Sequence, residues 1–167
     1  GGLHLKYQIN PDICILGKAL GNGYPMNAVI GSRSIMEKAK NSFISSTFWS
    51  DRIGPAAALK TLEIMEKEKT WVKLKKLGDY FKDRFMLILN KHKINGEVLG
   101  TGSLLQFKLD KISDNELKKF FASEMLKKNI LASNVIYLSV THTKILLEKY
   151  FYELDKVLLK LKRKYNI

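Results

Sequence analysis

The chain has 167 residues, 46% hydrophobic and 27% charged, with 29 Lys and Arg against 16 Asp and Glu for a net charge of +13. That balance belongs to a globular chain able to bury a core, and the lone cysteine, Cys14, excludes an internal disulfide scaffold and suits a reducing, cytoplasmic setting. No apolar run approaches the roughly 20 residues of a membrane-spanning helix, and Gly1-Gly2-Leu3-His4 lacks the pattern of an export signal, so no membrane partner is expected.

Ile13 to Leu16 is a short continuous apolar run after Pro11-Asp12, the pattern of a buried parallel strand. A loop with Gly17, Gly21, Gly23 and Pro25 follows, then a second expected buried strand, Ala28 to Ile30, closed by Gly31. Ser34 to Lys40 reads as a short helix, and residues 42–52 as a polar loop holding Phe48 and Trp49. A long helix starts near Pro55 with Ala58, Leu59, Leu62 and Met65 as its apolar face. Thr70 is placed to cap the next helix, where Trp71, Leu74, Leu77, Phe81, Phe85 and Ile88 recur at helical spacing.

Beyond this pair of helices the pattern changes to a compact α+β unit, with a domain boundary expected after Lys75, giving domains 1–75 and 76–167. Glu97 to Leu99 and Leu104 to Leu109 read as strands around the turn Gly100-Thr101-Gly102. Ser113 and Glu116 form a capping box for a helix to about Lys128, and a strand is expected over Val135 to Val140. Thr143 caps a last helix lined by Leu147, Tyr150, Phe151, Leu154, Leu158 and Leu161. Its end carries Lys160, Lys162, Arg163 and Lys164, a cationic cluster that complements the helix dipole. Nucleic acid is not expected as a partner: the positive charge is mostly lysine, with Arg33, Arg52, Arg84 and Arg163 the only arginines, whereas phosphate and base recognition favours the arginine fork. No metal ligand set is expected.

The residue that carries chemistry is Lys18, one residue beyond an apolar strand and ringed by glycines. Ligand sites in open parallel sheets lie at the carboxyl ends of strands, and glycines let backbone approach a flat ligand. A lysine amine there can form an imine with a carbonyl once it loses its proton, which burial or nearby positive charge promotes.

Residues 11–31, Pro-Asp-Ile-Cys-Ile-Leu-Gly-Lys-Ala-Leu-Gly-Asn-Gly-Tyr-Pro-Met-Asn-Ala-Val-Ile-Gly, closely resemble the segment around the cofactor lysine of class III pyridoxal-phosphate-dependent aminotransferases. Ser45 to Leu59 resembles that family's loop whose threonine binds the cofactor phosphate of the partner subunit, followed by its Ala-rich helix. The wording is most like that of glutamate-1-semialdehyde 2,1-aminomutase-like members. The second half resembles the family's C-terminal domain more diffusely, through residues 125–131 and 138–143.

The resemblance implies an α/β chain of fold type I, holding the C-terminal part of the large, mostly parallel-sheet domain plus the small α+β domain. It implies pyridoxal 5'-phosphate as cofactor, Lys18 as its Schiff-base lysine and catalytic base, and Thr47, with Ser46 beside it, as phosphate-binding residues. It further implies a homodimer with a shared cofactor site, an amino donor and a carbonyl acceptor. The family's N-terminal half has no counterpart here, so the chain reads as a fragment of a longer enzyme and is expected to be inactive alone. Asp51-Arg52 replaces the Gly-Asn common in the class, and Asn134 stands where the aminomutases have a glutamate that gates substrate exchange. These departures favour a transaminase, with the aminomutase as alternative and a non-catalytic interaction module as a second one. His142, just before a helix cap, reads as structural.

Overall fold

The computed structural model of the chain describes every residue except Gly1, Ser46 and Trp49. The chain divides into two compact units, residues 1–70 and 71–167.

The first unit runs through α1 (Leu3–Lys6), β1 (Ile13–Leu16), a 3-10 turn (Lys18–Leu20), β2 (Ala28–Gly31), α2 (Arg33–Met36) with a 3-10 continuation to Asn41, and α3 (Ile53–Glu68). The buried parallel strand expected at Ile13–Leu16 is corrected here. β1 pairs with β2 in an antiparallel ladder from Ile13↔Gly31 to Leu16↔Ala28, and Ile15, Val29 and Ile30 are more than half exposed. The reason lies in the connection: a parallel pair needs a crossover of about a dozen residues or more, usually helical, whereas residues 17–27 hold only a tight 3-10 turn. The apolar face expected on α3 is also corrected. Gly54 and Ala58 are buried and Ala57, Thr61 and Met65 half-buried, but Leu59 and Leu62 are exposed: Leu59 is turned about 100° from Ala58, and Leu62, one turn beyond Ala58 on the same row, is left uncovered in this chain.

The second unit contains most of α4 (Thr70–His92), then β3 (Gly96–Thr101), β4 (Leu104–Leu109), α5 (Asp114–Leu126), β5 (Val135–Tyr137) and α6 (Lys144–Tyr165). Thr70 is the first residue of α4 rather than a cap before it, since α3 ends at Lys69 in a left-handed conformation and the chain turns straight into the next helix. The sheet is antiparallel, in the order β3-β4-β5, with Thr101↔Leu104 closing a hairpin over Gly102-Ser103. The last strand is shorter than expected: Leu138 donates its backbone N–H to Ser103 in that hairpin turn, and a turn from Ser139 to His142 follows.

Alternation along β4 sends Leu105, Phe107 and Leu109 inward and leaves Leu104 and Lys108 exposed. Helices α4 and α6 supply the other side of this core through Phe81, Phe85, Phe151, Leu154 and Leu158, and α5 through Leu117 and Phe121. A line of rings crosses it: Phe81 and Phe85 at 6.0 Å, Phe85 and Phe107 at 4.6 Å, Phe107 and Phe121 at 5.0 Å.

Both expected helix starts in this unit are present. Ser113 Oγ accepts from Glu116 N and the Glu116 carboxylate accepts from Ser113 N, while Thr143 Oγ1 accepts from Leu146 N. Ser113→Ala is therefore expected to cost about 1 kcal/mol. For a unit of this size that lowers the melting temperature by roughly 4–8 °C, readable by circular dichroism.

Asp155 on α6 bridges to α4, accepting from Lys91 Nζ at 2.8 Å and lying 2.8 Å from His92 Nε2. Partial burial pushes its carboxyl up, but the bonds from Lys91 and His92 outweigh that and hold it below the usual aspartate range. A carboxylate held low in the folded state binds fewer protons there than when unfolded. Its contribution is thus fully present above the ordinary aspartate value, near about 4, and is lost as pH falls through the folded value. Urea titrations between pH 6 and 2 should show this acid loss of stability diminished in Asp155→Asn.

Candidate active site

β1 delivers the chain to Gly17, and Lys18 opens the 3-10 turn with φ +48°, a left-handed conformation that a residue with a side chain rarely adopts. Successive short backbone bonds close the turn: Leu20 N to Gly17 O at 3.1 Å, Asn22 N to Ala19 O at 3.2 Å and Tyr24 N to Gly21 O at 3.1 Å. Gly21 is required for its tightness, as a Cβ there would lie 2.1 Å from the Tyr24 carbonyl oxygen. The Lys18 side chain is exposed, not enclosed as the burial argument for an imine-forming lysine expected. The strand that delivers it is itself open to solvent on the face of Ile13 and Ile15 in this chain.

Thr47 lies in the loop before α3 and is exposed, its hydroxyl available to a ligand. Ser46, the other expected phosphate ligand, falls outside the described residues. The loop ends in a turn in which Asp51 N donates to Phe48 O at 3.0 Å. Asp51 then starts the helix: its Oδ1 accepts from Ile53 N at 3.0 Å, satisfying one of the free N–H groups of the first turn. Its other oxygen, Oδ2, accepts a short hydrogen bond from the Tyr24 hydroxyl. That bond holds the Asp51 carboxyl below, and the Tyr24 phenol above, their ordinary ranges. Beneath it Gly54 is buried, and a Cβ there would lie 3.3 Å from both Tyr24 Cε1 and Met26 Sδ.

Tyr24 and Asp51 thus join the segments of two expected site residues, Lys18 and Thr47, a pairing that the sequence does not predict. A signal existed for Asp51, an acidic residue two places before a helix start. Nothing local marks Tyr24, whose partner is 27 residues away.

In the second unit His142 is structural, as expected: its Nδ1 accepts from Ser139 N at 2.9 Å and lies 3.1 Å from Ser139 Oγ, closing the turn before α6. Asn134 is 3% exposed, its backbone carbonyl accepting from Phe107 N in the sheet and its side chain beside Ser133. Among the described residues no three His, Cys, Asp or Glu side chains are grouped to hold a metal ion, and no helix is long and apolar enough to cross a membrane.

Residues 3–149 match the model of the family described as aminotransferase class-III. The chain belongs to the class III aminotransferases. Among curated relatives, this aminotransferase chain is 32% identical over 120 residues to alanine–glyoxylate aminotransferase 2 homolog 2, mitochondrial, of Arabidopsis thaliana, covering 72% of the chain and 25% of that protein. It is 30% identical over 109 residues to a glutamate-1-semialdehyde 2,1-aminomutase of Methanosphaera stadtmanae, covering 65% of the chain and 26% of the relative. The FumI protein of Sphingopyxis sp. MTA144, solved in its PLP internal aldimine form, superposes with TM-score 0.89 at 22% identity over 98% of the chain and 40% of FumI. The fold is that of the fold type I transferases, in part: the chain spans about a quarter to two fifths of the length of these relatives.

Proposed function

We propose that this chain supplies the lysine-bearing part of a pyridoxal-phosphate-dependent aminotransferase, which moves an amino group from an amino donor to a carbonyl acceptor. The cofactor is the one indicated by family membership and by the FumI structure. The observation that carries the reading is the placement of Lys18, separated from the end of β1 by Gly17 alone, exposed and set in a left-handed turn within the family-matched segment. The residues fit the group: an accessible primary amine on a tight turn, and an accessible hydroxyl at Thr47 in the loop leading to α3.

When bound, pyridoxal phosphate supplies a carbonyl for the lysine amine and a ring that draws electrons from the substrate carbon. Lys18 Nζ would hold the cofactor at rest and, once released and unprotonated, would take a proton from the substrate carbon as general base and return one as general acid. Thr47 Oγ1, together with its sequence neighbour Ser46, would bind the phosphate of the partner subunit's cofactor in a homodimer. Residues 1–75 would then belong to the large domain and 76–167 to the small one, and the cytoplasm is the expected setting.

Asn134 supports transamination over the aminomutase reading. It carries no carboxylate and is buried in the sheet, so it is not placed to gate the exchange of substrate.

Borohydride reduction in the presence of pyridoxal phosphate, followed by peptide mass mapping, of this chain and of the longest natural form of the protein tests the assignment. A single phosphopyridoxyl adduct at Lys18 is expected in the long form. Labelling scattered over the surface lysines in both forms would overturn it.

A further inference from the structure

The turn that carries Lys18 and the loop that carries Thr47 are joined by one side-chain bond. Tyr24 ends the glycine turn, its backbone N–H tied to Gly21 and its hydroxyl to Asp51 Oδ2. Asp51 ends the other loop, its backbone N–H tied to Phe48, next to Thr47, and its Oδ1 to the first residue of α3. Gly54 lets the Tyr24 ring and Met26 lie directly on the start of α3, where any side chain would press on both. These hydrogen bonds, with the backbone between them, thus link Gly17 to Phe48, the sequence neighbours of Lys18 and Thr47.

The geometry points to Tyr24 and Asp51 as positioning residues: a latch that holds the Lys18 turn against the start of α3, so that the Lys18 turn and the Thr47 loop behave as one element. The functional value of that latch rests on the aminotransferase reading above. Neither residue touches the reacting atoms. Lys18 sits in a conformation that its own backbone disfavours, and such conformations persist when the surroundings over-determine them. The latch is the tertiary part of those surroundings.

The test is hydrogen exchange on the full chain without cofactor, resolved at the amides of Leu20, Asn22, Tyr24 and Asp51. Tyr24→Phe removes only the hydroxyl and is expected to speed exchange at these amides by about tenfold, the scale of one hydrogen bond to a charged group. Phe107, Leu117 and Leu138 in the second unit report on the fold and should be unchanged. Asp51→Ala is expected to act on the glycine turn to the same extent, and Tyr24→Phe to add nothing to it there, since both remove one bond.

Unchanged exchange at Leu20 and Asn22 in Tyr24→Phe would overturn the latch. So would additive effects of the two substitutions, or equal acceleration throughout residues 71–167. Borohydride trapping on the same proteins separates this inference from the reading beneath it. A Lys18 adduct that forms several-fold more slowly in Tyr24→Phe supports both. Scattered labelling of both the unaltered chain and the longest natural form, with the exchange pattern as expected, overturns the cofactor reading and upholds the latch.

Discussion

Lys18→Ala is expected to lower transamination by the active enzyme about 10³-fold or more, and to remove the phosphopyridoxyl adduct from the peptide that contains residue 18. The size follows from the two parts assigned to one nitrogen. General acid–base catalysis by a positioned side chain is worth about 10² to 10⁴, and loss of the amine also removes the covalent hold on the cofactor. No other lysine stands in the glycine turn to replace it, Lys18 being the only one between Gly17 and Asn27. Lys18 is exposed and makes no part of a core, so thermal unfolding should be nearly unaffected. Residual turnover within tenfold of the unaltered enzyme would show that the proton is moved by another group.

The largest expected effect on stability belongs to the second unit. Phe107 is fully buried on β4, with Phe85 and Phe121 on either side of it at 4.6 and 5.0 Å. Phe107→Ala removes a ring from the middle of the aromatic line and leaves a cavity that strand and helices cannot both close. The expected cost is about 3–5 kcal/mol. Since a whole domain is stable by only about 5–15 kcal/mol, the unit should lie near its unfolding midpoint at moderate temperature. Urea titration of residues 71–167 by circular dichroism measures this directly. Leu59→Ala on α3 is the contrast: Leu59 reads as core from its spacing but is 69% exposed in this chain, and its replacement should change stability by no more than about 0.5 kcal/mol. A comparable loss in both variants would mean that burial in this chain does not govern the cost.

The helices of the second unit were legible because their signals are local. Ser113 and Glu116, and Thr143 with Leu146, are three residues apart, and each pair closes its own cap whatever lies around it. The rows Phe81, Phe85, Ile88 and Leu147, Phe151, Leu154, Leu158 mark the inner faces of α4 and α6, since helical period alone decides which side chains share a face. The motif of residues 11–31 was legible for a related reason: a tight turn around a lysine needs small residues at particular steps, and those steps are written in consecutive letters.

What the local pattern could not state was which surfaces meet. The run Ile13 to Leu16 specifies a strand but carries no information about the direction of its neighbour; the brief connection over residues 17–27 made the pair antiparallel, and Ile13 and Ile15 are exposed in this chain while Cys14 and Leu16 are half-buried. Leu59 and Leu62 satisfied a helical pattern, yet Leu59 lies off the row that Gly54 and Ala58 bury and Leu62, on that row, is left uncovered in this chain. Tyr24 and Asp51 met only because the glycine turn folds back onto α3, a pairing across 27 residues. From its sequence alone this protein thus declared its family, the motif that makes Lys18 the proposed cofactor lysine and the starts of α5 and α6, all settled by neighbours within a few residues. Strand direction, burial and the Tyr24–Asp51 bond depend on contacts between segments far apart in the chain, and only the folded structure decided them.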